Sequence, residues 1–133
     1  MTRHLTWVVL LLGACGPTPA EVGGSFSGQH SLAITPGGAE HGSEIITIDQ
    51  RGGQISFTLS LCQLKAHADT NSTFKVEKFK CSRSVSSAVW ELESDENGKV
   101  TSNANNLSIS ISGNAKNGSV VSPFTWSYNG SRR

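Results

Sequence analysis

The chain has 133 residues, with eleven Lys/Arg against ten Asp/Glu and a formal net charge of +1. That balance gives no basic field to steer it toward nucleic acid or anionic lipid. Serine is heavily used, glycine numbers 14, and helix-favouring runs of Ala, Leu, Glu and Lys are absent, so short strands joined by turns are expected.

The first stretch has Arg3, then a largely apolar run from Leu5 to Leu12, then small residues before Cys15. A positive start, a short apolar core and a small-residue cleavage site describe a secretory signal. The run is well short of the roughly 20 apolar residues of a spanning helix. Leu12-Gly13-Ala14-Cys15 resembles the lipobox of bacterial lipoproteins, in which the cysteine thiol is diacylated and the signal is removed in front of it. The resemblance covers this stretch alone. It implies a signal peptide at 1–14, a lipidated Cys15, and a protein held to a cell-envelope membrane by its lipid. Gly16, where an aspartate is absent, is similar to the pattern that sorts such proteins to the outer membrane of a two-membrane host. The alternative is an ordinary signal cut near Ala20, for which Pro17 and Pro19 sit awkwardly.

Gly16 to Gly24 reads GPTPAEVGG and shows no apolar period, so residues 15–24 are expected to be a lipidated cysteine and a flexible tether. Residues 25–133 are expected to form one domain, large enough to bury roughly 60–70% of its unfolded surface.

Within it, Phe26, Gly28, His30, Leu32 and Ile34 share one face of a first strand, with a bend or close backbone contact expected at Gly28. Residues 35–44 read as a polar loop, and Ile45 to Asp49 as a second strand turning at Arg51-Gly52-Gly53. Gln54 to Cys62 shows the clearest alternation, placing Ile55, Phe57, Leu59 and Leu61 on the buried face and Cys62 on the polar one. After a short strand or bend at 63–68 and a turn at Asp69–Ser72, Thr73 to Cys81 changes apolar parity, which suggests a bulge near Lys78. Val85 to Leu92 follows, then a hairpin at Asp95-Glu96-Asn97-Gly98, a strand to Ala104, and a turn at Asn105-Asn106. Leu107, Ile109 and Ile111 alternate with serines. A loop at 113–122 leads to a last strand bearing Phe124, Trp126 and Tyr128, then a polar end from Asn129.

This predicts an all-β fold, an antiparallel meander of about eight or nine short strands, closed as a small barrel or folded as a sandwich. In shape class it is similar to a lipocalin barrel.

With Cys15 assigned to lipid, Cys62 and Cys81 are an even pair in an exported chain, which points to a disulfide. Neither has another cysteine or a histidine within the spacing of a zinc site, and redox pairs are more often two residues apart. With Cys62 on a polar face, the bridge is expected at a sheet edge outside the core.

Chemistry is sparse. His30, His41 and His67 lack metal-ligand spacing. No nucleophile-elbow pattern is present. Glu91, Glu93, Asp95 and Glu96 read as a solvated acidic tip, and Lys75, Lys78, Lys80 and Arg83 as a basic strand that neighbours it. Trp90, Phe124, Trp126 and Tyr128 are either core or the lining of a ligand cavity. The expected function is therefore a non-enzymatic binding or interaction module at the membrane, without catalytic residues, metal, cofactor or nucleic-acid partner. Its partner would be a protein or a small apolar ligand. A small-ligand carrier and an inhibitor of an envelope hydrolase are the alternatives.

Overall fold

Apolar and polar residues alternate through most of the chain, and each alternating run is a strand. The computed structural model describes residues 20–133. Its strands are β1 (Gly24–Ile34), β2 (Gly38–Arg51), β3 (Gln54–Leu59), β4 (Cys62–Ala68), β5 (Thr73–Val76), β6 (Lys80–Val85), β7 (Ala88–Ser94), β8 (Lys99–Asn103), β9 (Asn106–Asn117) and β10 (Val120–Arg132). Every pairing is antiparallel. The order β10-β1-β2-β3-β4-β5-β8-β9 returns to β10 and closes an eight-stranded barrel. The hairpin β6–β7 stands outside this closure. β8 pairs with Asn106–Ser110 at one end of β9, and β7 pairs with Gly113–Lys116 at the other.

The core lies inside the closure. Phe26, Leu32, Ile46, Leu59, Leu64, Phe74, Leu92, Leu107, Trp126 and Tyr128 are essentially without solvent contact. Closure removes the sheet edges that an open meander would expose, except along β2 before Asp49 and along β6. The packed chain begins inside the segment expected to be tether. Val22 is fully buried. Gln50 holds it there: its Oε1 accepts from the Val22 and Gly23 amides at 2.7 and 3.0 Å, and its Nε2 donates to the Ala20 carbonyl at 2.8 Å.

Residues 38–44 are strand, not the expected loop; Glu40, Gly42 and Glu44 face inward and are half-buried, so their polarity hid the alternation. Residues 113–117 and 120–122 are likewise strand; Ala115 is a buried inward position among exposed polar ones, while the buried Ser122 lies between exposed Val121 and Pro123, which inverts the usual alternation. The 54–62 strand stops at Leu59. Ser60 and Leu61 form a two-residue turn at φ 47° and 76°, without the Gly or Asn that normally signals one. Parity therefore slips, Leu61 is 88% exposed, and Cys62 is buried in the core. Ser86 and Ser87 make an equivalent turn inside the expected 85–92 strand.

The expected bulge near Lys78 is a full break: the Glu77 amide still bonds the Lys65 carbonyl, then Phe79 exchanges hydrogen bonds with Ser94. Asp95–Gly98 is not a hairpin. β7 and β8 lie end to end along β9, and Asp95 holds the link by accepting from the Asn97 amide and the Ser112 hydroxyl.

The Cys62–Cys81 disulfide is present, with a Cα–Cα distance of 5.9 Å. It ties the start of β4 to β6. Its Cys62 half is in the core, which corrects the expected position at a polar edge. At Gly28 the expected close contact is present, since a Cβ there would overlap the Asn129 carbonyl oxygen.

Candidate functional site

The barrel wall changes character beside β2. This strand pairs with β1 along Gly38–Ile48, but with β3 only at Asp49–Arg51. The two-residue turn at Gly52-Gly53 makes Arg51 and Gln54 a hydrogen-bonded pair, so Thr47 and Ile45 aim their peptide groups at the same side. Among the described residues no strand meets them there. β6, which pairs only with β7, approaches β2 from across this gap.

Side chains close the seam instead. Glu44 reaches from β2 to the Ser60–Leu61 turn: its Oε2 accepts the Ser60 amide at 2.9 Å and its Oε1 accepts the Ser60 hydroxyl at 2.7 Å. The His30 Nδ1 lies 2.6 Å from Glu44 Oε1. From β6, the Arg83 guanidinium donates to the Ser60 carbonyl at 2.7 Å and pairs with Glu40 on β2. His30, Glu44 and Arg83 retain only 11, 19 and 13% side-chain exposure. Such partly desolvated charge-assisted bonds are stronger than surface pairs. The guanidinium lies 6.0 Å over the Trp126 ring, which packs against Phe79, so the cluster rests on an aromatic floor.

The cluster has the members of a Ser-His-carboxylate relay but not its geometry. In a relay, the imidazole bridges the other two groups through separate nitrogens. Here Nδ1 is the nitrogen nearer to both partners, 2.6 Å from Glu44 and 3.2 Å from the Ser60 hydroxyl, Nε2 lies 3.5 Å from that hydroxyl, and the hydroxyl donates to the carboxylate. No group of three or more His, Cys, Asp or Glu among the described residues is arranged to hold a metal ion. The bonds of the cluster converge on one turn. They grip the Ser60–Leu61 turn at amide, hydroxyl and carbonyl, and the disulfide begins at the next residue. The turn overlooks an open cleft of about 1020 Å³, lined by His30, Glu44, Ile45, Thr58, Leu61 and Phe79 among others.

The residues singled out from sequence fall elsewhere. Cys15 lies outside the described residues. Trp90, Phe124, Trp126 and Tyr128 are at most 5% exposed and line neither this cleft nor a second groove, of about 670 Å³, near the start of β1. Tyr128 donates to the Phe26 and Glu44 carbonyls at 3.2 Å each. Burial, with a smaller contribution from Glu44, raises its phenol above the usual range. The acidic tip and basic strand are neighbours only in part: Lys80 pairs with Glu93, but Lys75 faces Lys99. Glu40, Glu44, Ser60 and Leu61 were missed. The alternation Glu40-x-Gly42-x-Glu44 was the available signal for two of them, and Ser60-Leu61 had none. Protein-family models, curated proteins and solved structures contain no match to this chain.

Proposed function

We propose that this chain is a lipid-anchored protein of the bacterial cell envelope, in the outer membrane of a two-membrane host. Its barrel is a non-enzymatic interaction module that presents the Ser60–Leu61 turn to a protein partner. The observation that carries this reading is Leu61, 88% exposed on a gripped turn at φ 76°. A bulky side chain at positive φ is strained, and a leucine in water forgoes the burial that rewards it elsewhere. Glycine or asparagine would avoid both costs. Strain and apolar exposure at one immobilised residue are the marks of a contact anchor.

Direction supports the same reading. The chain enters the barrel at Ala20, beside Gln50 and the β2–β3 turn. β3 runs away from that turn for about 20 Å to reach Ser60. With a lipid on Cys15, five residues before Ala20, the strained turn points away from the membrane. Inhibition of an envelope hydrolase is the second reading, favoured by the grip on the turn, since a preorganised turn enters a cleft with little ordering cost.

Two measurements test the proposal. Fatty-acid labelling should mark the wild type and not Cys15→Ser; equal labelling of both contradicts the anchor. A photo-crosslinking amino acid at 61, in the lipidated protein within its own envelope, should give a discrete protein adduct that the same probe at Ser110 does not. Identical patterns from both positions contradict the contact role.

A further inference from the structure

Charge is unevenly spread over the barrel. No Asp, Glu, Lys or Arg occupies the outward positions of β9 from Asn106 to Asn114, of β10 from Thr125 to Ser131, of β1 from Ser25 to Ala33, or of β2 from His41 to Thr47. Register joins these positions into continuous rows. Ser110 faces Ser127, which faces Ser31; in the next row Ser108 faces Asn129, which faces Gln29. The charged side chains lie mainly on the other side, where Lys75 even faces Lys99.

This neutral face also has a concavity. The second groove, about 670 Å³, is lined by Ser27, Asn103, Asn106, Ser108, Asn129 and Ser131, with Gly28 and Gly130 between them. Its volume falls within the roughly 300–1,000 Å³ of small-molecule sites. Gly28 and Gly130 are register partners on β1 and β10. The groove therefore carries hydroxyls and carboxamides, each able both to donate and to accept, over bare peptide groups.

The chemistry narrows the partner. Nucleic acid and anionic lipid need counter-charge that this face lacks. An apolar partner needs apolar area, and Ile45 is the only large hydrophobic residue at these positions. An uncharged array of donors and acceptors around a groove matches an uncharged, polyhydroxylated chain. We propose that this face binds an uncharged polysaccharide laid across β9, β10 and β1, with sugar units seated in the groove. Each hydrogen bond competes with water and is weak alone, so retention comes from repetition along the chain. This surface is separate from the Leu61 turn and does not depend on the protein-contact reading.

The test uses the lipidated full-length protein in detergent micelles, with chitin and cellulose as solid probes and alginate beads as the anionic control. Expected is retention on chitin or cellulose, but not on alginate, that persists in about 1 M NaCl, where charges are screened within about 3 Å. Ser108→Lys and Asn129→Asp place charges on exposed groove positions and leave the core untouched. Each should melt with the wild type and lower retention about tenfold or more. Leu61→Asn should be retained like the wild type, so a failure of either surface is read separately. The inference is overturned by absence of retention on both polysaccharides or by retention indifferent to the two charge variants. It is equally overturned if those variants instead abolish a concentration-dependent dimer, which would make the face a self-contact.

Discussion

From β9 through β10 and β1 to β2 the barrel wall is backbone. Those strands pair along nearly their whole lengths. From β2 to β6 the wall is side chain: Glu40, Glu44, His30, Ser60 and Arg83, with a disulfide beside them. A backbone ladder is closed by peptide groups and leaves outward side chains free, which is why one neutral row can follow another there. A side-chain closure requires particular residues at particular positions. In return it holds a turn that a ladder cannot hold, with Leu61 at its tip.

The largest expected effect is in the core behind the ladder. Leu32 is fully buried, so Leu32→Ala should lower stability by about 2–5 kcal/mol in denaturant unfolding. The outward Thr125→Ala should change it by less than about 0.5 kcal/mol. Equal losses would mean that the faces of β1 and β10 are misassigned.

Next is the disulfide, which closes a sequence separation of 19 residues. Its reduction should lower stability by about 3 kcal/mol while the far-ultraviolet spectrum keeps its β signature, because the ladder remains. Collapse of that spectrum on reduction would contradict the separation of the two regions.

The clasp itself ranks third. Arg83→Met removes the donor to the Ser60 carbonyl and the cation beside Glu40. It should cost about 1–3 kcal/mol. An unchanged unfolding curve would reduce the clasp to a surface ornament.

A smaller effect marks where the ladder meets the clasp. The phenol of Tyr128, the only tyrosine, is held above its usual range by burial and then by Glu44. A raised folded pKa favours the neutral phenol in the fold. Its contribution is therefore complete below about pH 10, the unfolded value, and is lost as pH rises through the folded one. Absorbance titration of this single phenol should give a midpoint above that of the unfolded chain, and Tyr128→Phe should flatten the alkaline fall in stability. A midpoint at the unfolded value would contradict the burial.

The smallest effect has the opposite sign. Leu61→Asn relieves the positive φ and should raise stability by up to about 1 kcal/mol, while weakening whatever contact the leucine serves. Destabilisation would show that Leu61 packs within the fold.

Much of the ladder was legible in the sequence because Phe26, Leu32, Ile109 and Trp126 alternate with serines and threonines, and period two is a direct signature of a half-buried strand. The clasp was not legible. Ser60-Leu61 and Ser86-Ser87 turn without glycine or asparagine, so nothing local announces them, and one missed turn reverses the face assigned to every later residue of its strand. That slip misplaced both Leu61 and Cys62. Glu40 and Glu44 were hidden by their own polarity, which only the seam's need for hydrogen bonds explains. The hairpin expected at Asn97-Gly98 failed for another reason: β7 and β8 pair with successive parts of β9, Gly113–Lys116 and Asn106–Ser110, so they lie end to end and not side by side.

Glu44, standing where a strand would otherwise be, fixes the Ser60–Leu61 turn. Amide hydrogen exchange at Ser60 tests it most directly, because that amide has a carboxylate, not a strand, as its acceptor. In the wild type the Ser60 amide should be protected, and in Glu44→Ala it should lose at least about tenfold of that protection while the amides of Trp126 and Leu32 keep theirs. A Ser60 amide that exchanges at the free-chain rate in the wild type, or is equally protected without Glu44, would contradict the account.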